Sequence, residues 1–325
     1  MIDNVIRNIG LVLAVWLYGG IVSLMAQTPD TLRTRNLPGV VVSGDASARA
    51  LTSTAPVQQM ERADMLRLGV TDMADALHRL PGVTLRDYGG AGGMKTVSVR
   101  GFGARHTGVC YDGVMLSEIQ SGEIDVSRYS IDNVQTLRLV IGDNDDLFIP
   151  ARQAASAAVL SIESIGDTPA DRRAHLTAQM RVGSYGYASP YLRYVQRLGK
   201  GLTLSAIGEY TYADNDYSFR LRNGNITTHE HRTNSRMNSG HGELGAHWCI
   251  GQRHQLWGKV YYYDNDRQLP GIVRLYTNVC GQQERDRNAF AQVRWMARSH
   301  DDRLLFKLNA KYNWASSAYR DTLLA

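Results

Sequence analysis

The chain has 325 residues, 43% hydrophobic and 21% charged, with a formal net charge of +5, a length that allows about two domains. The basic excess is dispersed and contains no Lys/Arg run, which excludes the electrostatic footprint of a nucleic-acid binder. Tyr outnumbers Phe 17 to 5 and Gly reaches 31, a balance that suits strands with aromatic girdles better than a helical enzyme.

Residues 1–26 read as a signal peptide: Arg7 precedes an apolar run from Ile9 to Leu24, and Ala26 supplies a small residue before a cut at Gln27. Gly19 and Gly20 interrupt that run, which falls short of the ~20 residues of a spanning helix. No second apolar stretch of that length follows, so any membrane insertion downstream has to use strands. Residues 27–44 form a polar leader that ends in the β-prone run Gly39-Val40-Val41-Val42-Ser43-Gly44. Cys110, Cys249 and Cys280 are sparse, odd in number and without a Cys-x-x-Cys pair; they read as packing residues, with a Cys249–Cys280 bridge left open.

Residues 45–166 read as a compact α+β unit. Thr71 is placed to cap a helix whose apolar positions Met73, Ala76, Leu77 and Leu80 recur at helical spacing, and Pro81 ends it. Leu80-Pro81-Gly82-Val83 leads into a glycine-rich link through Gly89, Gly90, Gly92 and Gly93. Two short strands follow, Val97-Ser98-Val99-Arg100-Gly101-Phe102 and Val109-Cys110-Tyr111-Asp112-Gly113-Val114-Met115-Leu116. Asp112-Gly113 supplies the positive φ angles of a tight hairpin turn. Val134, Leu137, Leu139 and Ile141 mark a further strand closed by Gly142.

From 167 to 325 the pattern becomes alternation. Leu202 to Tyr212 sets Leu, Ala, Gly and Tyr against Thr, Ser and Glu, and Phe306, Leu308, Ala310, Tyr312 and Trp314 alternate with Lys307, Asn309, Lys311 and Asn313. One wet face and one apolar face ending in aromatics is the signature of a transmembrane strand. Seven strands are expected, near 172–184, 188–198, 202–212, 240–250, 255–263, 288–296 and 303–314. Short links at 199–201, 251–254 and 297–302 alternate with long ones at 213–239 and 264–287, as periplasmic turns alternate with extracellular loops.

No Walker loop, Gly-x-Ser-x-Gly elbow, His-Glu-x-x-His or EF-hand spacing occurs, so no enzyme is expected. His229-Glu230-His231 is a weak metal or haem candidate. Asp214-Asn215-Asp216 and Asp264-Asn265-Asp266 offer calcium-type oxygens, although Asp and Asn are also ordinary turn residues.

The order Leu80-Pro81-Gly82-Val83, Val99-Arg100-Gly101-Phe102, Tyr111-Asp112-Gly113-Val114 resembles the plug domain of the TonB-dependent outer-membrane receptors. The resemblance implies a plug at 45–166 with Pro81, Gly82, Arg100, Gly101, Asp112 and Gly113 as its motif. It also implies a TonB box at Val40, Val41 and Val42 that pairs with an energy-coupling protein by strand addition, and the start of a transmembrane β-barrel at 167–325. Arg100 is expected to latch onto carboxylates of the barrel wall. Ligand contacts are expected on plug apices, at Gly90, Gly92, Ser117 and Gln120, and on the long loops. The implied protein sits in the outer membrane of a Gram-negative bacterium and imports cobalamin, an iron siderophore or haem without a cofactor of its own. A capture receptor without transport and a glycan importer are the alternatives. Ala157-Ala158-Val159 stands where family members carry a Gly-Gly-Val strand, a departure that loosens any borrowed ligand identity. Such barrels have about 22 strands, so seven make an incomplete barrel, and the chain reads as a fragment of a longer receptor.

Overall fold

A computed structural model describes residues 56–325, except 89–91, 119–120, 143–147, 167–168, 200, 274–279, 302 and 324–325. The signal peptide, the leader with Val40 to Val42, and the expected contacts Gly90 and Gln120 lie outside the described residues.

The plug is built on a five-stranded sheet. Its strands are β1 (Val57–Glu61), β4 (Thr107–Tyr111), β5 (Val114–Met115), β6 (Val134–Ile141) and β7 (Ala158–Ser164), ordered β1-β6-β7-β4-β5 with β4 and β7 parallel and the other pairs antiparallel. A separate ribbon pairs β2 (Val83–Asp87) with β3 (Lys95–Val99). Helices α1 (Arg62–Arg67), α2 (Met73–His78) and α3 (Ala151–Ala154) complete it. The near-continuous apolar runs of β6 and β7 mark strands covered on both faces, and Leu77, Leu137, Leu139, Leu160 and Ile162 are fully buried.

Two local expectations are corrected. Asp72, not Thr71, caps α2, its carboxylate accepting from the Asp75 amide at 2.7 Å; a carboxylate outbids a hydroxyl at a helix N-terminus because it also meets the helix dipole. The helix also stops at His78, before Pro81 can act on it. The Asp112-Gly113 turn forms as expected, with φ of 49° and 77°, the left-handed pair that joins β4 to β5.

The seven expected strands form one antiparallel sheet in the order β16-β15-β14-β13-β10-β9-β8. They are β8 (Ala174–Val182), β9 (Ala188–Arg197), β10 (Leu202–Ala213), β13 (Met237–Ile250), β14 (His254–Leu269), β15 (Gln282–Arg298) and β16 (Leu305–Asp321). Among the described residues the sheet is open. Both expected long loops are shorter than predicted. The first contains a hairpin of β11 (Ser218–Asn223) and β12 (Ile226–His231), and half of the second is the continuation of β14 and β15. Polar strands read as loops in the sequence, but Arg285 pairs with Asp264 at 2.7 Å and Arg267 with Glu284 at 2.6 Å, so cross-strand charge carries the ladder past the aromatic girdle.

Leu244, Val260, Val293 and Leu308 are exposed on one face of this wall, the face a bilayer would cover. No helix among the described residues is long and apolar enough to cross a membrane. Plug and wall belong to one compact unit, Ala46–Ala325.

Candidate functional site

The inward side chains of β10, β13, β14 and β15 fall into rows fixed by their register. From the long-loop end these rows are Glu209-His241-Tyr263, Ile207-Glu243-Tyr261-Phe290, Ser205-Gly245-Lys259-Gln292 and Thr203-His247-Trp257-Arg294. Successive rows lie about 7 Å apart, two residues of strand rise.

The plug docks on these rows through polar contacts and one aromatic cluster. The Lys259 ammonium lies 2.5 Å from an Asp112 carboxylate oxygen and 3.0 Å from Glu243, and it donates to Ser164 Oγ at 2.9 Å. The same Nζ sits 4.2 Å from the centroid of the Tyr111 ring, a cation–π contact that adds to the pairing. Tyr111 donates to Glu243 at 2.6 Å, and Asn133 donates to Tyr111 at 3.1 Å and to Glu243 at 3.2 Å. His241 lies 2.8 Å from Glu243. Burial, then the Glu243 charge, holds the Tyr111 hydroxyl well above its ordinary range, so it stays a donor. Glu243, 3% exposed, is thus a carboxylate whose oxygens are met by a lysine, a histidine, a tyrosine and an asparagine, the condition under which a buried charge is tolerated.

Asp112 does two jobs. Besides pairing with Lys259, its carboxylate accepts from the Ser164 amide at 2.7 Å and the Ser164 hydroxyl at 2.9 Å, tying the β4–β5 turn to the end of β7. Arg294 donates to the Asp112 carbonyl at 3.1 Å while stacking on Trp257 at 4.3 Å. Other rivets repeat the theme. Arg181 meets Asp132, Tyr261 donates to the Arg128 carbonyl at 2.8 Å, and Arg267 and Asn265 donate to the Gly92 carbonyl at 3.0 and 3.3 Å. Tyr129, Tyr261, Tyr111 and Phe290 form the aromatic part of the contact, with Tyr261 and Phe290 stacked at 4.5 Å.

Of the expected plug motif, Asp112 and Gly113 reach the wall. Pro81 and Gly82 are exposed and bond within the plug, the Pro81 carbonyl accepting from Gln58 at 2.9 Å and the Gly82 carbonyl from the Arg100 amide at 2.8 Å. Gly101 holds a φ of 79°. Arg100 is exposed and forms no salt bridge among the described residues, so the wall latch observed here is Asp112–Lys259, with the cation on the wall and the carboxylate on the plug. Gly92 packs against Met237, and Ser117 accepts from Arg152 at 3.2 Å. The four candidate calcium aspartates do not converge. Asp214 accepts from Tyr212, Asp216 lies 3.4 Å from His231, Asp264 is paired with Arg285 and Arg287, and Asp266 accepts from Gln283 at 2.6 Å. No group of three or more His, Cys, Asp or Glu residues able to hold a metal occurs among the described residues. Strand alternation also separates Glu230 from His229 and His231, which stand across from Phe219, Arg220 and Ser218 respectively.

Lys259, Glu243 and His241 are single polar residues inside strands, and nothing in their local sequence sets them apart from other wet-face residues. Their inward parity, opposite Leu244 and Val260, is the signal that was available.

All three thiols are free, which closes the Cys249–Cys280 alternative. Burial pushes the Cys110 thiol up to about 12, leaving almost no thiolate at neutral pH. Iodoacetamide at pH 8 is therefore expected to label folded protein at Cys249 and Cys280, and Cys110 only after denaturation. Equal rates at all three thiols, read by peptide mass spectrometry, would contradict the buried β4.

Residues 49–148 match the family model described as TonB-dependent Receptor Plug Domain. Solved structures similar in fold include the copper transporter OprC, with TM-score 0.60 and 18% identity, 80% of this chain covering 37% of that one. The ferric citrate transporter FecA gives 0.59 and 15%, with 80% and 40% covered. The FrpB iron transporter from Neisseria meningitidis gives 0.63 and 12%, again with 80% and 40% covered. The chain thus spans about two fifths of the length of these proteins.

Proposed function

We propose that the chain, whose residues 49–148 match the plug-domain family model, carries the plug and barrel strands of a TonB-dependent outer-membrane receptor and takes part in energised import of a scarce ligand across the outer membrane of a Gram-negative bacterium. The observation that supports this reading is the chemistry of the plug–wall contact. The plug's own sheet is complete, and it meets the wall through hydrogen bonds and ion pairs together with one apolar contact, in which Tyr111 and Tyr129 share a buried cluster with Tyr261, Tyr263 and Phe290 of the wall. The hydrogen bonds can be exchanged for bonds to water one at a time at small net cost each, so a mechanical pull on the plug is opposed mainly by the buried Lys259–Glu243–Asp112 set and the aromatic contact. On this reading ligand binds at the long-loop end, where Gly92 and the β11–β12 hairpin lie, and a TonB-type protein engages Val40 to Val42. The ligand class we propose is a metal-bearing small molecule such as cobalamin, an iron siderophore or haem.

The test is uptake of labelled ferric citrate, cyanocobalamin, haemin and cupric ion by cells with and without the coupling protein. At least one probe should be imported only when coupling is present, and Val41→Pro should abolish that import while leaving surface binding nearly intact, since proline removes a ladder donor far from the loops. Binding with no coupling-dependent uptake would instead make this a capture receptor.

A further expected result concerns the hairpin. β11 and β12 pair only with each other in the described sheets, so deleting 216–236 should weaken probe binding at least tenfold while the plug keeps its protease resistance. Full affinity in the deletion would move the ligand site elsewhere.

A further inference from the structure

Two cavities lie against the same stretch of wall. One, of about 140 Å³, is on the long-loop side and is lined by Glu209, His241 and Tyr263 of the first row together with the plug turn around Tyr129. The other, of about 410 Å³, is on the short-turn side and is lined by residues of the third and fourth rows, among them Ser205, Gly245 and Lys259, with Asp112 and Ser164 of the plug. The second row, Ile207, Glu243, Tyr261 and Phe290, lines neither. Because the register runs without a shift across β10, β13 and β14, the two spaces are separated by the thickness of one row, about two residues of strand.

We propose that the ligand's route runs along the inner face of β10, β13 and β14, and that Glu243 and Tyr261 of the wall with Tyr111 of the plug form the seal across it. This rests on the import reading above.

Three observations carry it. Small residues hollow out the wall just below the seal: Gly245 faces Ser205, and a Cβ built on Gly245 would fall 2.4 Å from Ser205 Oγ. The plug side of the seal is Tyr111, the last residue of β4, and Asn133, just before β6, held to the wall by hydrogen bonds of 2.6 and 3.2 Å to Glu243. Lys259, reaching up from the row below, ties the β4–β5 turn through Asp112 at 2.5 Å. Withdrawing the end of β4 by one row would join the cavities; it takes Tyr111 out of the cluster it shares with Tyr261 and Phe290, and polar groups on a passing ligand or water can take over each hydrogen bond as it breaks. Toward β15 and β16 the plug packs more closely: Lys311 reaches the Met115 carbonyl at 3.5 Å, and the space lined by Ser117 and Asn313 is about 10 Å³.

The experiment compares two thiol bridges between plug and wall in a Cys249→Ser, Cys280→Ser background. Ser164→Cys with Ser205→Cys spans the short-turn cavity, and Ser117→Cys with Asn313→Cys spans the small space at β15–β16. Each pair is closed with a short, reducible bifunctional reagent. Uptake is read with whichever of ferric citrate, cyanocobalamin, haemin or cupric ion the parental protein imports. The first bridge should lower uptake at least tenfold, reversibly on reduction and with surface binding kept, while the second changes it less than twofold. Equal loss from both would mean that the plug moves as a body, and no loss from the first would place the route elsewhere; either overturns the proposal. A ligand-free readout keeps it separate from the import reading. Tyr111→Ala should let a thiol reagent supplied from the periplasm label Ser239→Cys, in the long-loop cavity, at least tenfold faster, and an unchanged rate would show that the barrier lies elsewhere.

Discussion

Glu243→Leu is expected to loosen the plug from the wall by about 3–5 kcal/mol, the usual cost of removing one member of a buried, hydrogen-bonded charge set. Lys259, with its side chain 13% exposed, would keep only Asp112 as a charge partner. The Tyr111 hydroxyl and the Asn133 amide would lose the acceptor that both use, and unmet buried donors cost about 1–3 kcal/mol each. Glu243→Gln should cost less, because the amide oxygen still accepts from Tyr111. Adding Tyr111→Phe to Glu243→Leu should cost less than the sum of the two single changes, since the orphaned hydroxyl is then gone. The measurement is thermal unfolding followed by protease sensitivity of the plug within the membrane-embedded protein. A Glu243→Leu protein as protease-resistant as the parent would mean that the apolar contact of Tyr261 and Phe290 holds the plug without the charges.

The reach of the sequence differs sharply between the wall and its contacts. Alternation places the short-turn end of each wall strand within two residues, because one face meets lipid and the other water, and that contrast is written at every second residue of Leu202 to Tyr212 and Phe306 to Trp314. The plug turn is legible for a different reason: few sequences other than Asp-Gly satisfy two successive positive φ angles. What alternation cannot express is depth, or which plug atom faces which row. Lys259 looks like any wet-face lysine, yet it is the cation of the latch, and Arg100, the more conspicuous residue in the sequence, is exposed. The upper strand extensions were hidden for the opposite reason. Asp264, Asp266, Glu284 and Arg285 read as loop by polarity, and only their cross-strand pairing shows that the ladder continues.

Gly92→Val is expected to destabilise the plug apex and its dock together, by about 2–4 kcal/mol, the combined scale of backbone strain and overpacking. Gly92 holds a φ of +75°, and a Cβ there would sit 2.0 Å from Met237 Sδ and 2.5 Å from Met237 Cγ. Valine meets both penalties, since a β-branched residue is poorly tolerated in the left-handed region. The two are separable. Met237→Ala removes the clash but not the strain, so in the Gly92→Val, Met237→Ala protein about half of the loss should return, whereas Met237→Ala alone should be mildly destabilising. The Gly92 carbonyl also accepts from Arg267 and Asn265, so displacing the apex should free Arg267 to its remaining partner Glu284 and lower probe binding at the long-loop end as well as stability. Unfolding and binding measured on the single and double variants decide the matter: if the double variant is no better than Gly92→Val, Met237 is not what fixes the apex against the wall, and the backbone conformation of Gly92 alone accounts for the loss.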